Sequence, residues 1–411
     1  MSRRSSYGYS SYRSGSYGYG GYRRNRRGGG KKKIIIAAVC IVVAAAAAVG
    51  ACAYLGVFNK EKKDKSETSA EQNSSSVSDV SKQEDKAQKE QSQKSEETSK
   101  QQSSEPKKEL KGDYDGNVFI YDKQGYETFY GSEDTAKKYI ETVKKAKSML
   151  GNGVNVYSMV APTHSLYGLP EKYRNNGNDQ AENISYIYKQ LGNDIKCIDV
   201  SDSLEKHKDE YIFFKTDHNW TALGAYYAYC DFCKAAGLEA AQMKDFSTGE
   251  IKNFTGSLAV ATVSDKKPDG NKTLFGNPDT VKYYYMPGDY TCTALLSGNS
   301  EPDERSLLAV GVAQGKNAYS VFIWGNNPYM DVKTKKTTGK KLCIIKDSYG
   351  CAFAPFTVNN FDEVYIVDPT YYDGSIIDYI KKNKFTDVLF INSTMTANTQ
   401  VRTEELQSII K

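Results

Sequence analysis

Histidine is scarce in this sequence, and each of the three segments that make up its first 112 residues lacks a whole class of side chain. The 411 residues contain three histidines, and residues 1–33 carry ten Lys and Arg but no acidic residue. After Met1 this segment has no aliphatic residue, so it is predicted to be a disordered basic arm. Residues 59–112 contain no aromatic residue and carry twelve basic and twelve acidic side chains. They predict a disordered linker, with a helical stalk as the alternative.

Charge is absent from residues 34–58, which read IIIAAVCIVVAAAAAVGACAYLGVF. About 20 apolar residues suffice to cross a bilayer, so this segment is predicted to be a transmembrane helix. Three lysines precede it, and basic flanks stay in the cytoplasm, which places the amino terminus inside the cell. Residues 113–411 are then an extracellular domain on a single-pass cell-membrane anchor. Cleavage before Cys52, as in a lipoprotein, is the alternative.

Positive charge is not concentrated in the predicted extracellular domain. The whole chain has 55 Lys and Arg against 50 Asp and Glu, but from residue 113 onward 33 basic residues face 38 acidic ones. A nucleic-acid-binding domain would show a basic excess, so we expect no nucleic acid partner. The mean hydropathy of -0.62 agrees with long unpacked segments before that domain.

The domain contains six of the eight cysteines, scattered through apolar segments. An oxidising compartment permits disulfides, and the sequence does not give their pairing. Cys230 and Cys233 have the spacing of a metal or redox pair but lie inside a predicted helix without a second Cys pair. Buried free thiols are the favoured interpretation, and no metal site is predicted.

From residue 113 onward, apolar runs alternate with helical patterns. Helices are predicted over residues 134–150, 181–191 and 375–382 and after Ser348. Strands separated by such helices predict βαβ units and a mainly parallel sheet, into which a region of strands and loops, residues 248–338, is inserted. Strands are predicted in NVFIYD at 117, VNVYSMV at 154, DIKCIDV at 194, YIFFK at 211, KKLCIIKD at 340, EVYIVD at 363 and DVLFIN at 387.

Ligands of such sheets bind beyond the carboxyl ends of the strands. Ser348 follows one strand and begins a helix, a position that suits a nucleophile but also a simple helix cap. Asp217 and His218 lie together at another strand end and suit a Ser-His-Asp arrangement, although Asp217 also suits a helix cap. Trp220 is either part of the site or a core anchor. His164 either lines the site or completes a turn.

Five segments of the chain resemble the DHHW family, which is related to the SGNH-hydrolase-like domains of the alginate O-acetylation proteins AlgX and AlgJ. The resemblance extends over about residues 117–393. It implies an α/β, SGNH-hydrolase-like (flavodoxin-like) fold with helices on both faces of a mainly parallel sheet. The segments are MVAPTHSLYGLPEKY, YIFFKTDHNWTALGAYYAY, TGEIKNFTGSLA, and KKLCIIKDSYGCAFAPF followed by EVYIVDPTYY.

The resemblance makes Ser348 the nucleophile and Asp217 the orienting carboxylate. The family's base precedes Trp, and here that position holds Asn219, whose amide cannot accept the serine proton. Either His218 takes the role or the triad is broken, and adjacent side chains usually point in different directions. Asn392 follows the strand where SGNH enzymes place an oxyanion-hole Asn; ordinary turn chemistry is the alternative.

The resemblance also implies a function. We expect a membrane-anchored protein that acts on O-acyl groups, typically acetyl, of a cell-envelope or exported polysaccharide, by transfer or hydrolysis. No metal or organic cofactor is expected, and a membrane acyltransferase is the expected partner. The alternative, favoured by Asn219, is an inactive carbohydrate-binding or scaffold protein that retains the fold.

Overall fold

The computed structural model describes residues 110–174 and 176–411. The predicted basic arm, the membrane span and almost all of the linker lie outside these residues. The strands are β1 Asp113–Asp115, β2 Val118–Tyr121, β3 Gln124–Tyr126, β4 Asn155–Ala161, β5 Lys196–Cys197, β6 Ser247–Phe254, β7 Asp279–Tyr285, β8 Tyr290–Leu295, β9 Asp303–Arg305, β10 Tyr329–Thr334, β11 Lys341–Lys346, β12 Glu363–Val367 and β13 Asp387–Ser393.

Twelve α-helices are described, together with the 3-10 helices Met243–Asp245 and Gly315–Val321. The α-helices are α1 Glu133–Leu150, α2 Ser165–Gly168, α3 Glu171–Arg174, α4 Gln180–Leu191, α5 Ser201–Lys206, α6 Ala222–Ala236, α7 Ser257–Ala261, α8 Lys272–Phe275, α9 Tyr349–Thr357, α10 Ile376–Lys382, α11 Thr394–Ala397 and α12 Gln400–Ile409.

Eight strands form the main sheet in the order β5-β4-β13-β11-β12-β10-β8-β9. The first five run parallel to one another. The central strands β11, β12 and β13 are buried on both faces, which explains why their sequences are continuous apolar runs.

The sheet is mixed, which corrects the prediction of a mainly parallel sheet. Strand β10 pairs antiparallel with β12 and β8, and β8 pairs antiparallel with β9. Antiparallel neighbours need no crossover helix, so three strands of the inserted region extend the sheet directly beyond β12. The other two strands of the insert, β6 and β7, form a separate antiparallel pair.

Helices cover both faces of the sheet. One apolar cluster contains side chains of α1, α4, α10 and α12, and a second contains side chains of α6, α9 and the inserted region. The long helices begin where the sequence offers a cap: the side chain of Ser132 accepts from the backbone N–H of Thr135 before α1, and Asp179 accepts from two N–H groups before α4.

Two predicted strands lie elsewhere. NVFIYD supplies β2 of a separate three-stranded antiparallel sheet, β1-β2-β3, instead of a strand of the main sheet. YIFFK forms only an isolated bridge between Phe213 and Trp220. The buried carboxylate of Asp279 accepts the N–H groups of Lys215 and Thr216 at 2.9 and 2.8 Å, so these donors are not available to a ladder.

Among residues 110–174 and 176–411, no helix is long and apolar enough to cross a membrane. The predicted span, residues 34–58, lies outside this part of the chain. All six cysteines from Cys197 onward are free thiols, and Cys233 is buried within α6.

Candidate active site

Ser348 lies between β11 and α9, at the carboxyl end of a central strand. Although it is the cap residue of α9, its side chain makes no capping hydrogen bond. The helix can approach the sheet because Gly350 has no side chain, since a Cβ there would lie 2.5 Å from that of Lys346. The hydroxyl of Ser348 is half-buried and faces the segment that contains His218, so it is available for chemistry.

His218 contacts this hydroxyl. Its Nε2 lies 3.2 Å from Ser348 Oγ, across 130 residues of sequence. Its Nδ1 lies 2.5 Å from Ser257 Oγ, the first residue of α7. The side chain of His218 is 32% exposed, so a substrate can reach it. The imidazole is thus held between two serine hydroxyls, one at each ring nitrogen.

Asn219 also reaches Ser348, from a buried position. Its Oδ1 accepts the Ser348 hydroxyl at 2.9 Å, and its Nδ2 donates to Asp217 Oδ1 at 2.7 Å. The amide therefore bridges carboxylate and serine, the place that an imidazole takes in a Ser-His-Asp triad. Residues 216–219 are in irregular backbone, so the expectation that adjacent side chains diverge does not hold here.

Asp217 does not hydrogen-bond to His218. The Oδ1 of Asp217 is 4.0 Å from His218 Nδ1, and it accepts the backbone N–H and the amide of Asn219. Its Oδ2 accepts the N–H of Ser257 at 2.8 Å. Gly256 allows this approach, because a Cβ there would lie 2.3 Å from that of Asp217. Asp217 thus fixes Asn219 and Ser257, and the Ser257 hydroxyl orients His218.

The charge around His218 is negative. Burial favours its neutral form, but Asp217, Glu127 and Asp347 together outweigh burial and raise the pKa of His218 above its ordinary value. Burial raises the pKa of Glu127, which the charge of His218 opposes. Burial also acts to raise the pKa of Asp217, but His218 and the hydrogen bonds from Ser257 and Asn219 lower it overall.

Buried aromatic residues fix the backbone of the site. Trp220 has no exposed surface, and its Nε1 donates to the carbonyl of Tyr349 at 2.9 Å. This placement agrees with the core-anchor alternative for Trp220. The hydroxyl of Tyr349 donates to the carbonyl of His218 at 2.6 Å, and Tyr319 donates to that of Ser348 at 2.8 Å.

A buried ion pair supports the strand that leads to Ser348. The Nζ of Lys346 donates to Asp368 Oδ2 and Asn326 Oδ1, each at 2.9 Å. Burial disfavours the charge on Lys346, but Asp368 outweighs it and raises the pKa of the lysine. Asp347 accepts the N–H groups of Tyr349 and Ser393, which ties the turn to β13.

Neither His164 nor Asn392 is among the side-chain hydrogen-bond partners of Ser348, which are His218, Asn219 and Tyr319. The ring of His164 stacks on Phe213 with centroids 5.0 Å apart and lies 4.7 Å from Tyr126, and burial lowers its pKa to about 4. Asn392 is 2% exposed and lies within β13, on the same face as Val388 and Phe390. That face packs against α1 and α4, whereas Ser348 contacts the α6 side, so strand alternation directs the Asn392 amide away from the nucleophile.

Ser257 and Glu127 are the site residues that sequence reasoning missed. Ser257 lies in TGSLA, a segment that carries the resemblance but has no spacing relation to His218. Glu127 follows β3 without any motif. Only the tertiary structure brings them to His218.

The backbone N–H of Ser348 makes no hydrogen bond within the described chain, which leaves it free for an oxyanion.

Metal ligands are not grouped in this region: within residues 110–174 and 176–411, no set of three or more His, Cys, Asp or Glu side chains is arranged to hold a metal ion. The expectation of metal-free chemistry therefore stays a prediction.

The strands and helices described above define a mixed α/β protein, in which Ser348 lies between a strand and a helix and the Asp217-His218 segment comes earlier in the chain. The sequence model of the DHHW protein family matches residues 75–367, and the chain belongs to this family.

Three solved structures are similar to this chain. A DHHW family protein from Eubacterium siraeum is 32% identical, with a TM-score of 0.65 over 72% of this chain and 96% of that one. Bacillus cereus PatB1, solved with a sulfonyl adduct, is 17% identical, with a TM-score of 0.57 over 69% and 98% of the two chains. The O-acetyltransferase domain of Pseudomonas putida AlgJ is 10% identical, with a TM-score of 0.41 over 73% and 99%. No curated protein sequence matches the chain.

Proposed function

We propose that this protein is a membrane-anchored, extracytoplasmic SGNH-like enzyme that acts on O-acyl groups, typically acetyl, of a cell-envelope or exported polysaccharide. The observation that carries the proposal is the 3.2 Å approach of His218 Nε2 to the uncapped hydroxyl of Ser348. The polysaccharide and the acetyl group come from the resemblance to alginate O-acetylation proteins.

In this mechanism Ser348 Oγ attacks the acyl carbonyl, and its proton passes to His218 Nε2. The Ser348 N–H stabilises the oxyanion of the tetrahedral intermediate. His218 returns the proton to the departing sugar oxygen, which leaves an acyl-serine. Water, or a hydroxyl of a second sugar, then attacks the acyl-serine while His218 accepts its proton, and that proton finally returns to Ser348.

The competing proposal is a catalytically inactive carbohydrate-binding or scaffold protein. Asn219 favours it, because the Ser348 proton is directed to an amide oxygen that cannot accept it, and that amide occupies the place of a triad imidazole. The two proposals differ in one property, whether Ser348 becomes acylated.

The nucleophile is tested by treating the protein with an aryl sulfonyl fluoride or an aryl acetate and measuring the mass of the Ser348 peptide. A covalent adduct that is lost in Ser348→Ala supports the enzyme. Ser348→Ala should abolish turnover while the Tm changes by no more than a few degrees, because this hydroxyl caps no helix. The matched control is Ser132→Ala, which removes a genuine cap: about 1 kcal/mol of stability should be lost and turnover kept.

A further inference from the structure

A cavity of about 380 Å³ lies between the segment that follows β3 and the start of α4. One wall is formed by residues 127–129 and the other by residues 178–181. The walls are fixed to each other, since the N–H of Asn178 donates to the carbonyl of Phe129 at 2.7 Å and its amide donates to that of Gly131 at 2.8 Å. The cavity is therefore a built feature of the fold.

Its position relates it to Ser348. Gln180, on the cavity wall, accepts the N–H of Thr163 after β4 and the hydroxyl of Thr394 after β13. Strand β13 lies between β4 and β11, and β11 leads to Ser348. The cavity and the nucleophile thus lie at the same carboxyl edge of the sheet. Glu127 joins them, because it lines the cavity and lies two residues after Gly125, whose N–H donates to the carbonyl of Lys215, three residues before His218, at 2.8 Å.

The lining combines aromatic rings with hydrogen-bonding groups. Phe119, Phe129 and Tyr173 supply apolar ring surface, and Glu127 and Gln180 supply polar atoms. Glu127 is half-buried on the cavity wall. Flat apolar surface beside a few oriented polar groups suits the apolar face and the hydroxyls of a sugar ring.

The charges favour an uncharged ligand. Glu127, Glu171 and Asp179 line the cavity, against Arg174 as a lining cation. Lys172 lies over the ring of Tyr173, 4.9 Å from its centre.

At the nucleophile, Asp217 and Asp347 add two further carboxylates, against the single imidazole of His218. A carboxylate on the ligand would meet this excess of like charge in a partly desolvated space.

We propose that this cavity binds a neutral, hydroxyl-bearing sugar residue next to the acylated one, and that it disfavours polymers of acidic sugars. The proposal rests on the proposed function and names its substrate class. In this proposal the cavity selects the glycan, and Ser348 carries out the acyl chemistry.

The test fills the cavity from an exposed position. Ala181 is exposed at the start of α4 and lines the cavity, so Ala181→Trp obstructs it without removing core packing. Its control is Ala235→Trp, at an exposed alanine of α6 outside the cavity. With the full chain, kcat/KM for an O-acetylated neutral oligosaccharide should fall about tenfold or more through KM in Ala181→Trp, and stay unchanged in the control. An aryl acetate, which has no sugar, should be hydrolysed equally by all three proteins.

A second experiment tests the effect of the negative charge in the cavity on glycan choice. It uses Glu171→Lys, with Glu141→Lys on the exposed side of α1 as the control. For the wild type at low salt, kcat/KM should be on the order of tenfold lower for an O-acetylated polyuronate than for the neutral glycan. Glu171→Lys should bring the two kcat/KM values closer together. Equal use of both glycans by wild type would overturn the charge argument.

The possible failures are distinguishable. If Ala181→Trp uses the neutral glycan as well as wild type does while aryl acetate turnover persists, the cavity proposal is wrong and the proposed function stands. If no protein hydrolyses any acetate, the enzyme proposal is wrong, and calorimetric binding of an unacylated neutral oligosaccharide decides the cavity. Binding that Ala181→Trp abolishes supports the cavity, and binding that persists refutes it.

Discussion

The catalytic base can be tested by removing the imidazole at position 218 and placing one at position 219, since both side chains contact Ser348. His218→Ala removes the imidazole 3.2 Å from the serine hydroxyl. A positioned base contributes roughly 10² to 10⁴ in rate, so kcat/KM should fall by that factor, about 2.7 to 5.4 kcal/mol in barrier height. His207→Ala is the control, because His207 instead contacts Glu210 and Tyr227.

The second step places an imidazole where Asn219 now is. Asn219 already contacts Asp217 at 2.7 Å on one side and Ser348 at 2.9 Å on the other. A histidine there presents one ring nitrogen to each partner, which is the triad arrangement. Asn219→His should therefore be at least as active as wild type, and the double variant His218→Ala/Asn219→His should recover most of the loss.

The assay is aryl acetate hydrolysis, and Tm is measured for every variant. Ser348→Ala serves as the inactive reference protein. Full activity in His218→Ala would refute the assignment of His218 as the base. A double variant no better than His218→Ala would show that position 219 does not hold an imidazole productively. An inert wild type with an active Asn219→His would identify a natural pseudoenzyme that lacks only its base.

Further predictions concern the groups around this pair and the anchor of the chain. Ser257→Ala should lower kcat by about 10- to 100-fold with KM unchanged, through misorientation of His218, and Ser257→Thr should restore it; an unchanged kcat would exclude the orienting role. Because the base must be neutral and its pKa is raised above 6.5, kcat/KM should be lost as pH falls through that raised value. Asp217→Asn removes negative charge, so the acid limb of the profile should move to lower pH, and an unmoved limb would contradict the electrostatic account. Protease added to intact cells should cut within residues 59–112 and release a folded fragment; a protected fragment would reverse the predicted orientation.

Much of the architecture was readable from local sequence. The apolar runs at 341–346, 363–367 and 387–393 predict buried strands because a strand covered on both faces must be apolar throughout. The position of Ser348 between such a strand and a helix follows from the same pattern. Its hydroxyl could not be assigned from sequence, since a capping serine and a nucleophile have the same local signature.

The antiparallel part of the sheet was not readable in this way. Strands β8 and β10 were predicted as parts of an insertion. No local sequence pattern indicates that β10 pairs with β12 and so extends the main sheet. Strand pairing joins residues far apart in sequence, and only the folded chain selects the partner.

The amino-acid sequence by itself determined the buried central strands and the long helices of this domain, the family to which it belongs, and the short list that contains Ser348, Asp217 and His218. The tertiary structure decided how these residues meet: Ser257, 39 residues from His218 along the chain, holds its imidazole, and Asn219 bridges Asp217 and Ser348. The physical reason lies in residues 216–219, whose irregular backbone is fixed by hydrogen bonds to distant groups such as Asp279, so neither strand alternation nor helical periodicity sets the direction of their side chains.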